Sequence, residues 1–236
     1  MSHALAVIVA AGGSGARFGR PEGKQLAPVL GRPLLAWTVS ALGGPPVESI
    51  VVVCHPRRVQ EYEETVIAPL GLRVPVTAVG GGDSRQESVA LGLAEVPESF
   101  EFVAVHDGAR PLVSLDMLVA ALTRLETPGV DGVVVGHPCY DTLKHVESGR
   151  VVSTPDRSLI WVAQTPQVFR RESLLSAYEH ALSSGFVGTD DASVVENWGG
   201  VVDMVEASRE NIKVTTAQDV RFVEAVLRDR QEAGQS

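Results

Sequence analysis

The chain reads as an α/β protein: a doubly wound, mostly parallel sheet with helices on both faces and one projecting β-hairpin arm. Three observations carry that reading. Short apolar runs alternate with helical patterns from the first residues to about residue 136. The runs are almost unbroken, as expected of strands buried on both faces. Glycine-containing turns open at residues 10, 80 and 106, directly after three of those runs, and in an open parallel sheet they share the carboxyl edge, where ligands bind.

Ala4 to Val9 supplies the first strand. The next helix starts only at Pro33, a proline suited to a first turn, and runs through Leu34, Leu35, Trp37, Val39 and Leu42 to Gly43 and Gly44. The connection between them is about twenty residues, far beyond a usual βα loop, and loops of that length carry function. Ser49 to Cys54 is a second strand, followed by a helix around Val59 to Leu70 that stops before Gly71. Val74 to Val79 is a third, after which Asp83 and Gln86 have the offset of a capping box for a helix over Arg85 to Glu95. Phe102 to His106 is a fourth strand, Ser114 caps a helix over Leu115 to Leu125, and Gly132 to Gly136 is a fifth strand. From Pro138 the rhythm breaks, and strand-like pieces flank Glu147-Ser148-Gly149-Arg150 in an arm at about 138–157. An isolated hairpin is marginal in water, so the arm is expected to pack on a second subunit. Leu159 to Ala163 resumes the sheet, and helices follow near Glu172 to Ser183 and Asp190 to Asn197, the latter capped by Thr189. Late strands fall at Val201 to Glu206 and Ile212 to Val214, and Thr216 opens an amphipathic C-terminal helix. The chain, 1–236, is read as a single domain with the arm as its appendage.

Composition narrows the function. At 236 residues, with 44% hydrophobic and 21% charged residues, the chain buries a sizeable core. A formal net charge of -9 excludes a general nucleic-acid or acidic-membrane binder, so an anionic ligand must be met by local clusters. No apolar stretch is long enough to span a bilayer, and nothing N-terminal reads as secretory. Cys54 and Cys139 lack CxxC spacing and are expected to be free thiols in a soluble cytoplasmic protein.

Against that acidic background the loop from Ala10 to Leu26 gathers Arg17, Arg20 and Lys24, with only Glu22 opposing, among glycines at 12, 13, 15, 19 and 23. A basic, glycine-rich turn after a strand is a common way to hold phosphates. Gly13, Gly15 and Gly19 form a weak dinucleotide pattern, and the second strand ends in Cys54-His55-Pro56 where an acidic residue should meet the ribose. A Walker A loop fails on spacing and on Gln25 in place of Ser or Thr; the stretch around Ser14 lacks the closing glycine of a nucleophile elbow. His106 beside Asp107, and His137 near Cys139, lack further ligands at metal spacing and are read as structural. What remains is phosphate chemistry without a protein nucleophile, in which Arg17 and Lys24 straddle a polyphosphate and Lys213 completes the clamp.

The motifs AGGSGARFG, GKQ, GGGDSRQESV, VHDGARP, DTLK, QTPQ, TDDAS and NIKVT, in that order, closely resemble the 2-C-methyl-D-erythritol 4-phosphate cytidylyltransferase family of the non-mevalonate isoprenoid pathway. The resemblance runs from about residue 4 to residue 226. It implies a Rossmann-like nucleotidyltransferase fold, CTP, Mg²⁺ held mainly by the CTP phosphates rather than by a protein cage, and a homodimer joined through the arm. It also implies roles. Arg17 and Lys24 match the family's transition-state-stabilising pair; Ala11, Gly12, Gly13, Ser14 and Gly15 match its triphosphate loop. Gly82, Asp83 and Ser88 match cytidine contacts, and Asp107 and Gly108 the ribose side. Arg110, Thr165, Thr189 and Lys213 match residues around the methylerythritol phosphate, while Thr142 and Arg157 match groups supplied by the neighbouring subunit. Gly23 stands where the family usually has proline. Two other readings stay open: a cytidylyltransferase for another polyol phosphate such as ribitol 5-phosphate, and a nucleotide-binding module that performs no transfer.

Overall fold

Leu5–Ala10 forms β1, buried along nearly its whole length, so it requires cover on both faces and strands on both edges. The computed structural model describes residues 4–13 and 23–233. The long connection after β1 ends in a 3₁₀ turn, Lys24–Leu26, and a two-strand ribbon, β2 (Pro28–Val29) and β3 (Arg32–Pro33). Then follow α1 (Leu34–Ala41), β4 (Val47–Cys54), α2 (Val59–Tyr62), β5 (Val76–Gly80), α3 (Arg85–Ala94), β6 (Phe102–Asp107), α4 (Leu115–Leu125) and β7 (Gly132–Pro138). The second half holds β8 (His145–Glu147), β9 (Arg150–Ser153), β10 (Trp161–Arg170), α5 (Arg171–Ser184), α6 (Asp191–Trp198), β11 (Val202–Glu206) and α7 (Ala217–Ala233).

The main sheet has seven strands in the order β11-β7-β10-β6-β1-β4-β5. All neighbours are parallel except β10, which runs antiparallel to both β6 and β7. Alternate residues of β1 divide the core. Leu5, Val7 and Val9 face the side covered by α1 and α4, while Ala6 and Ile8 face the side covered by α3, α5 and α6. A third cluster, including Val29, Leu34, Leu112, Val214, Val223 and Leu227, docks α7 over the end of the long connection. No helix among the described residues is long and apolar enough to cross a membrane. Both cysteines are free and buried.

The architecture is the expected one, with corrections at specific elements. The segment read as one helix over Val59 to Leu70 is α2 followed by a π turn, Glu63–Ile67, and a 3₁₀ turn, Ala68–Leu70, where Pro69 supplies no N–H; Gly71 ends it at φ 55. The cap of α3 is Ser84, which accepts from Glu87 N, not Asp83 with Gln86. The cap of α6 is Asp190, reciprocating with Ser193, not Thr189. Ser114 stands at the cap position of α4 without a side-chain hydrogen bond. β10 extends through Gln164, Thr165 and Gln167, whose polarity hid it, since all three are buried. Ile212 to Val214 joins no ladder and is held by Val214 N donating to Ala109 O at 2.8 Å. The arm is present as the separate β8–β9 ribbon, turned by Ser148 at φ 49 and Gly149 at φ 78, a two-residue hairpin turn with both residues left-handed.

Candidate active site

Three of the sequence-predicted turns meet at the carboxyl edge because the backbone steps directly between strands. Ala11 N donates to Val53 O at 2.7 Å, Gly81 N to Cys54 O at 2.7 Å, and Gly108 N to Ala10 O at 3.0 Å. Between them opens a cleft of about 390 Å³ whose lining includes Gly12, Gly13, Lys24, Gly82, Asp83, Ser88, Asp107 and Lys213. Ser14, Gly15 and Arg17 lie outside the described residues. Ala11 is buried and does not line the cleft. Gly108 has no room for a side chain: a Cβ there would stand 2.9 Å from Leu35 Cδ1 and 3.2 Å from Ala10 O. Its carbonyl accepts from Thr38 Oγ1 at 2.9 Å. The turn before α3 is braced from within, since Ser88 Oγ accepts from Gly82 N at 3.1 Å and donates to Ser84 O at 2.8 Å.

Asp107 is the electrostatic centre. It is 6% exposed, and its Oδ2 meets Lys213 Nζ at 2.9 Å and Arg110 Nε at 3.3 Å. Burial opposes ionisation, but Lys213, Arg85 and Arg110 outweigh it and hold this carboxyl well below the usual range. The order of the C-terminal segment explains how Lys213 arrives. Asn211 is wholly buried, its Nδ2 donates to Gln164 Oε1 at 3.1 Å and Thr165 O at 2.8 Å, and its carbonyl accepts from Arg110 Nη1 at 2.7 Å. Lys24 Nζ in turn donates to Val214 O at 3.1 Å. The two lysines, 189 positions apart in the chain, are thus delivered to one cleft by one short segment. Gly23, immediately before Lys24, adopts φ 74, which a proline ring cannot reach.

Beneath Asp107 lies a chain of neutral hydrogen bonds. Thr165 Oγ1 accepts from Asp107 N at 3.0 Å and lies 3.1 Å from His106 Nδ1, to which it donates its own proton. His106 Nε2 then carries the ring hydrogen and donates to Arg110 O at 3.2 Å. The ring is fully enclosed, and burial, despite the opposing Asp107 charge, lowers its pKa to about 4. Thr165 is 4% exposed and spends its hydroxyl on this chain. Of the other sequence-predicted residues, Arg110 borders Asp107, whereas Thr189, Thr142 and Arg157 are exposed and line no part of this cleft in their own chain. Arg157 Nη1 donates to Tyr140 O at 2.6 Å, at the base of the arm.

Sequence reasoning assigned no role to Arg85, which lines the cleft and pairs with the wholly buried Asp191 at 2.6 Å. Both stand inside quoted motifs, but 106 residues separate them and nothing in either motif signals the pair. Burial pushes the Cys54 thiol up to about 11, which disqualifies it as a nucleophile at neutral pH. Among the described residues no three His, Cys, Asp or Glu side chains gather as a metal site. Among the described residues the cleft's carboxylates are Asp83 and Asp107, and the latter is already committed to cations.

Comparison with known proteins adds an independent line. The family profile described as 2-C-methyl-D-erythritol 4-phosphate cytidylyltransferase matches residues 5–229. A protein of that description from Thermosynechococcus vestitus is 38% identical over 231 residues, 97% of this chain and 97% of its own. Another from Synechococcus sp. strain CC9902 is 40% identical over 228 residues, 95% of this chain and 98% of its own. Among solved structures, 4-diphosphocytidyl-2C-methyl-D-erythritol synthase from Anaerococcus prevotii superimposes with a TM-score of 0.81 at 27% identity, covering 97% of this chain and all of the other.

Proposed function

The chain belongs to the 2-C-methyl-D-erythritol 4-phosphate cytidylyltransferase family, and from that membership we propose how its residues perform the reaction. The protein is a nucleotidyltransferase that transfers CMP from CTP to 2-C-methyl-D-erythritol 4-phosphate, giving 4-diphosphocytidyl-2-C-methyl-D-erythritol and pyrophosphate. An oxygen of the acceptor phosphate forms a bond to the α-phosphorus of CTP in line with the departing group. The bond from that phosphorus to the bridging oxygen breaks, and pyrophosphate leaves with the electron pair. A phosphate monoester has its second pKa at about 6 and is largely dianionic at neutral pH, so no general base is needed. The obstacle is charge, because two anions must meet at a negative phosphorus centre, and fixed cations with good positioning reduce it.

Each residue role below is part of the proposal. The triphosphate lies against Ala11, Gly12, Gly13, Ser14 and Gly15, with Arg17 and Lys24 neutralising charge as it shifts to pyrophosphate. Cytosine is read at the turn of Gly82, Asp83 and Ser88, and the ribose at Asp107 and Gly108. Lys213, with Arg110, Thr165 and Thr189, orients the acceptor; Thr165 does so through Asp107, given how its hydroxyl is spent. CTP is taken as its Mg²⁺ complex, and the ion supplies further neutralisation of the phosphate oxygens. The whole chain acts as one cytidylyltransferase domain, working in the cytoplasm as a homodimer. The β8–β9 arm makes the dimer contact and brings Thr142 and Arg157 to the partner's cleft.

The observation that best supports this reading is the convergence of Lys24 and Lys213 on the cleft that also holds the nucleotide turns. The test is pyrophosphate release by the purified protein with CTP, Mg²⁺ and either 2-C-methyl-D-erythritol 4-phosphate or ribitol 5-phosphate. Release with the first acceptor alone is expected. Release only with ribitol 5-phosphate overturns the acceptor assignment, and release with neither overturns transfer itself.

A further inference from the structure

The stretches GGGDSRQES and TDDAS contribute a pair of charges that the proposed mechanism leaves unused. Arg85 Nη2 stands 2.6 Å from Asp191 Oδ2, and the Tyr178 hydroxyl donates to Asp191 Oδ1 at 2.6 Å. Asp191 on α6 and Tyr178 on α5 lie behind the cleft and line no part of it. The neighbouring Gln86 binds α3 to the same region, its Nε2 donating to Phe186 O at 3.1 Å and its Oε1 accepting from Gly188 N at 2.9 Å. Asp191 has no exposed surface. Arg85 keeps 33% of its side chain exposed, so the pair is buried only on the Asp191 side, and such a pair is a weak source of stability because desolvation offsets most of the attraction. What such a pair supplies well is geometry, since a guanidinium is a planar fork with directional donors.

The geometry at stake is that of Asp107. Its Oδ2 receives both Lys213 and Arg110, at 2.9 Å and 3.3 Å. Arg85 faces the other oxygen, its Nε 3.7 Å from Oδ1, too far for a hydrogen bond. Arg85 is drawn instead to Asp191, and among the described residues no donor hydrogen-bonds Oδ1, which leaves it an acceptor position beside the cleft. We infer that Asp191, oriented by Tyr178, is a positioning residue that holds Arg85 back from Asp107, so that Asp107 Oδ1 accepts from a ribose hydroxyl of CTP and the enzyme selects ribonucleotides over deoxyribonucleotides. The inference rests on the assignment of Asp107 to the ribose. Without the Asp191 charge, the guanidinium closes onto Asp107, and a charge-assisted contact excludes the weaker neutral donor of a hydroxyl.

The experiment compares kcat/KM for CTP with that for 2′-deoxy-CTP and 3′-deoxy-CTP, alongside calorimetric affinities for the same nucleotides with Mg²⁺ and no acceptor. Wild-type protein prefers CTP over at least one deoxynucleotide. Asp191→Asn shrinks that preference by about tenfold, the scale of one lost hydrogen bond to a charged group, and Tyr178→Phe shrinks it by a smaller factor. Asp191→Glu, which keeps the charge, retains it, and KM for the acceptor stays unchanged throughout. A purely structural role lowers thermal stability and leaves the nucleotide preference at its wild-type value; that result in folded Tyr178→Phe and Asp191→Asn overturns the inference. Should Asp191→Asn not fold, Tyr178→Phe decides by the same ratio. A wild-type enzyme that uses both deoxynucleotides as well as CTP refutes the ribose assignment of Asp107 itself, and the transfer activity measured in the same assay keeps that failure distinct.

Discussion

His106 sits under the cleft with both ring nitrogens occupied, one accepting from Thr165 and one donating to Arg110 O. A second proton on that ring has to displace the Thr165 hydroxyl proton, and burial already lowers the pKa from 6.5 to about 4. The unfolded chain therefore binds a proton that the folded chain refuses, and stability falls as pH drops from about 6.5 towards 4. At about 1.4 kcal/mol per unit, the loss across that window is roughly 3 kcal/mol. Asp107, held below the usual carboxylate range, adds its own loss only at more acid pH. Denaturant titrations at pH 7 and pH 5 should show the stability loss in wild-type protein, and His106→Gln, which keeps a buried amide but cannot titrate, should flatten it. An unchanged pH slope in that variant contradicts the account. At this scale the charged residues of the loops were legible in the sequence, because clustered cations stand out in an acidic chain. The neutral chain through Thr165 and the Arg85–Asp191 pair were not, since each joins residues whose meeting depends on how α5, α6 and β10 pack.

Among the elements, unbroken apolar runs gave away β1, β4 and β6, whose residues are buried on both faces. The same rule failed in two places for one reason. β10 carries buried glutamines and a threonine satisfied by side-chain and backbone partners, so it reads as polar, while Ile212 to Val214 reads as apolar and strand-like but docks against Ala109 and α7. Periodicity reports burial, and it reports pairing only when the two coincide. Helix caps moved by one residue wherever adjacent Asp, Ser or Thr offered alternative acceptors, as at Asp83-Ser84 and Thr189-Asp190. The arm is the element with the clearest consequence. Val146, Val151 and Val152 are about half exposed on a ribbon outside the main sheet, and Leu159 at its base is 82% exposed. Replacing Val151 and Val152 with Asp should shift the protein to a monomer in sedimentation experiments and cost most of its activity, since the arm is proposed to serve the partner's cleft. A variant that stays dimeric and fully active contradicts that role.

At the scale of the whole molecule, the sheet order places the carboxyl ends of β1, β4, β5 and β6 side by side, and α7 with the segment before it folds back over that edge. The first loop and the end of the chain become neighbours there, through Lys24 to Val214 O and Lys213 to Asp107. The central claim is that these convergent cations, Lys24 on the triphosphate and Lys213 on the acceptor, are the catalytic apparatus. Its most direct test is the single-turnover rate of CMP transfer from CTP to 2-C-methyl-D-erythritol 4-phosphate in wild-type, Lys24→Ala and Lys213→Ala proteins, each shown to be folded by its thermal transition. The account predicts a fall of about a hundredfold to a thousandfold in each variant, the scale of losing one preorganised charge contact. Transfer at the wild-type rate in both variants would contradict it.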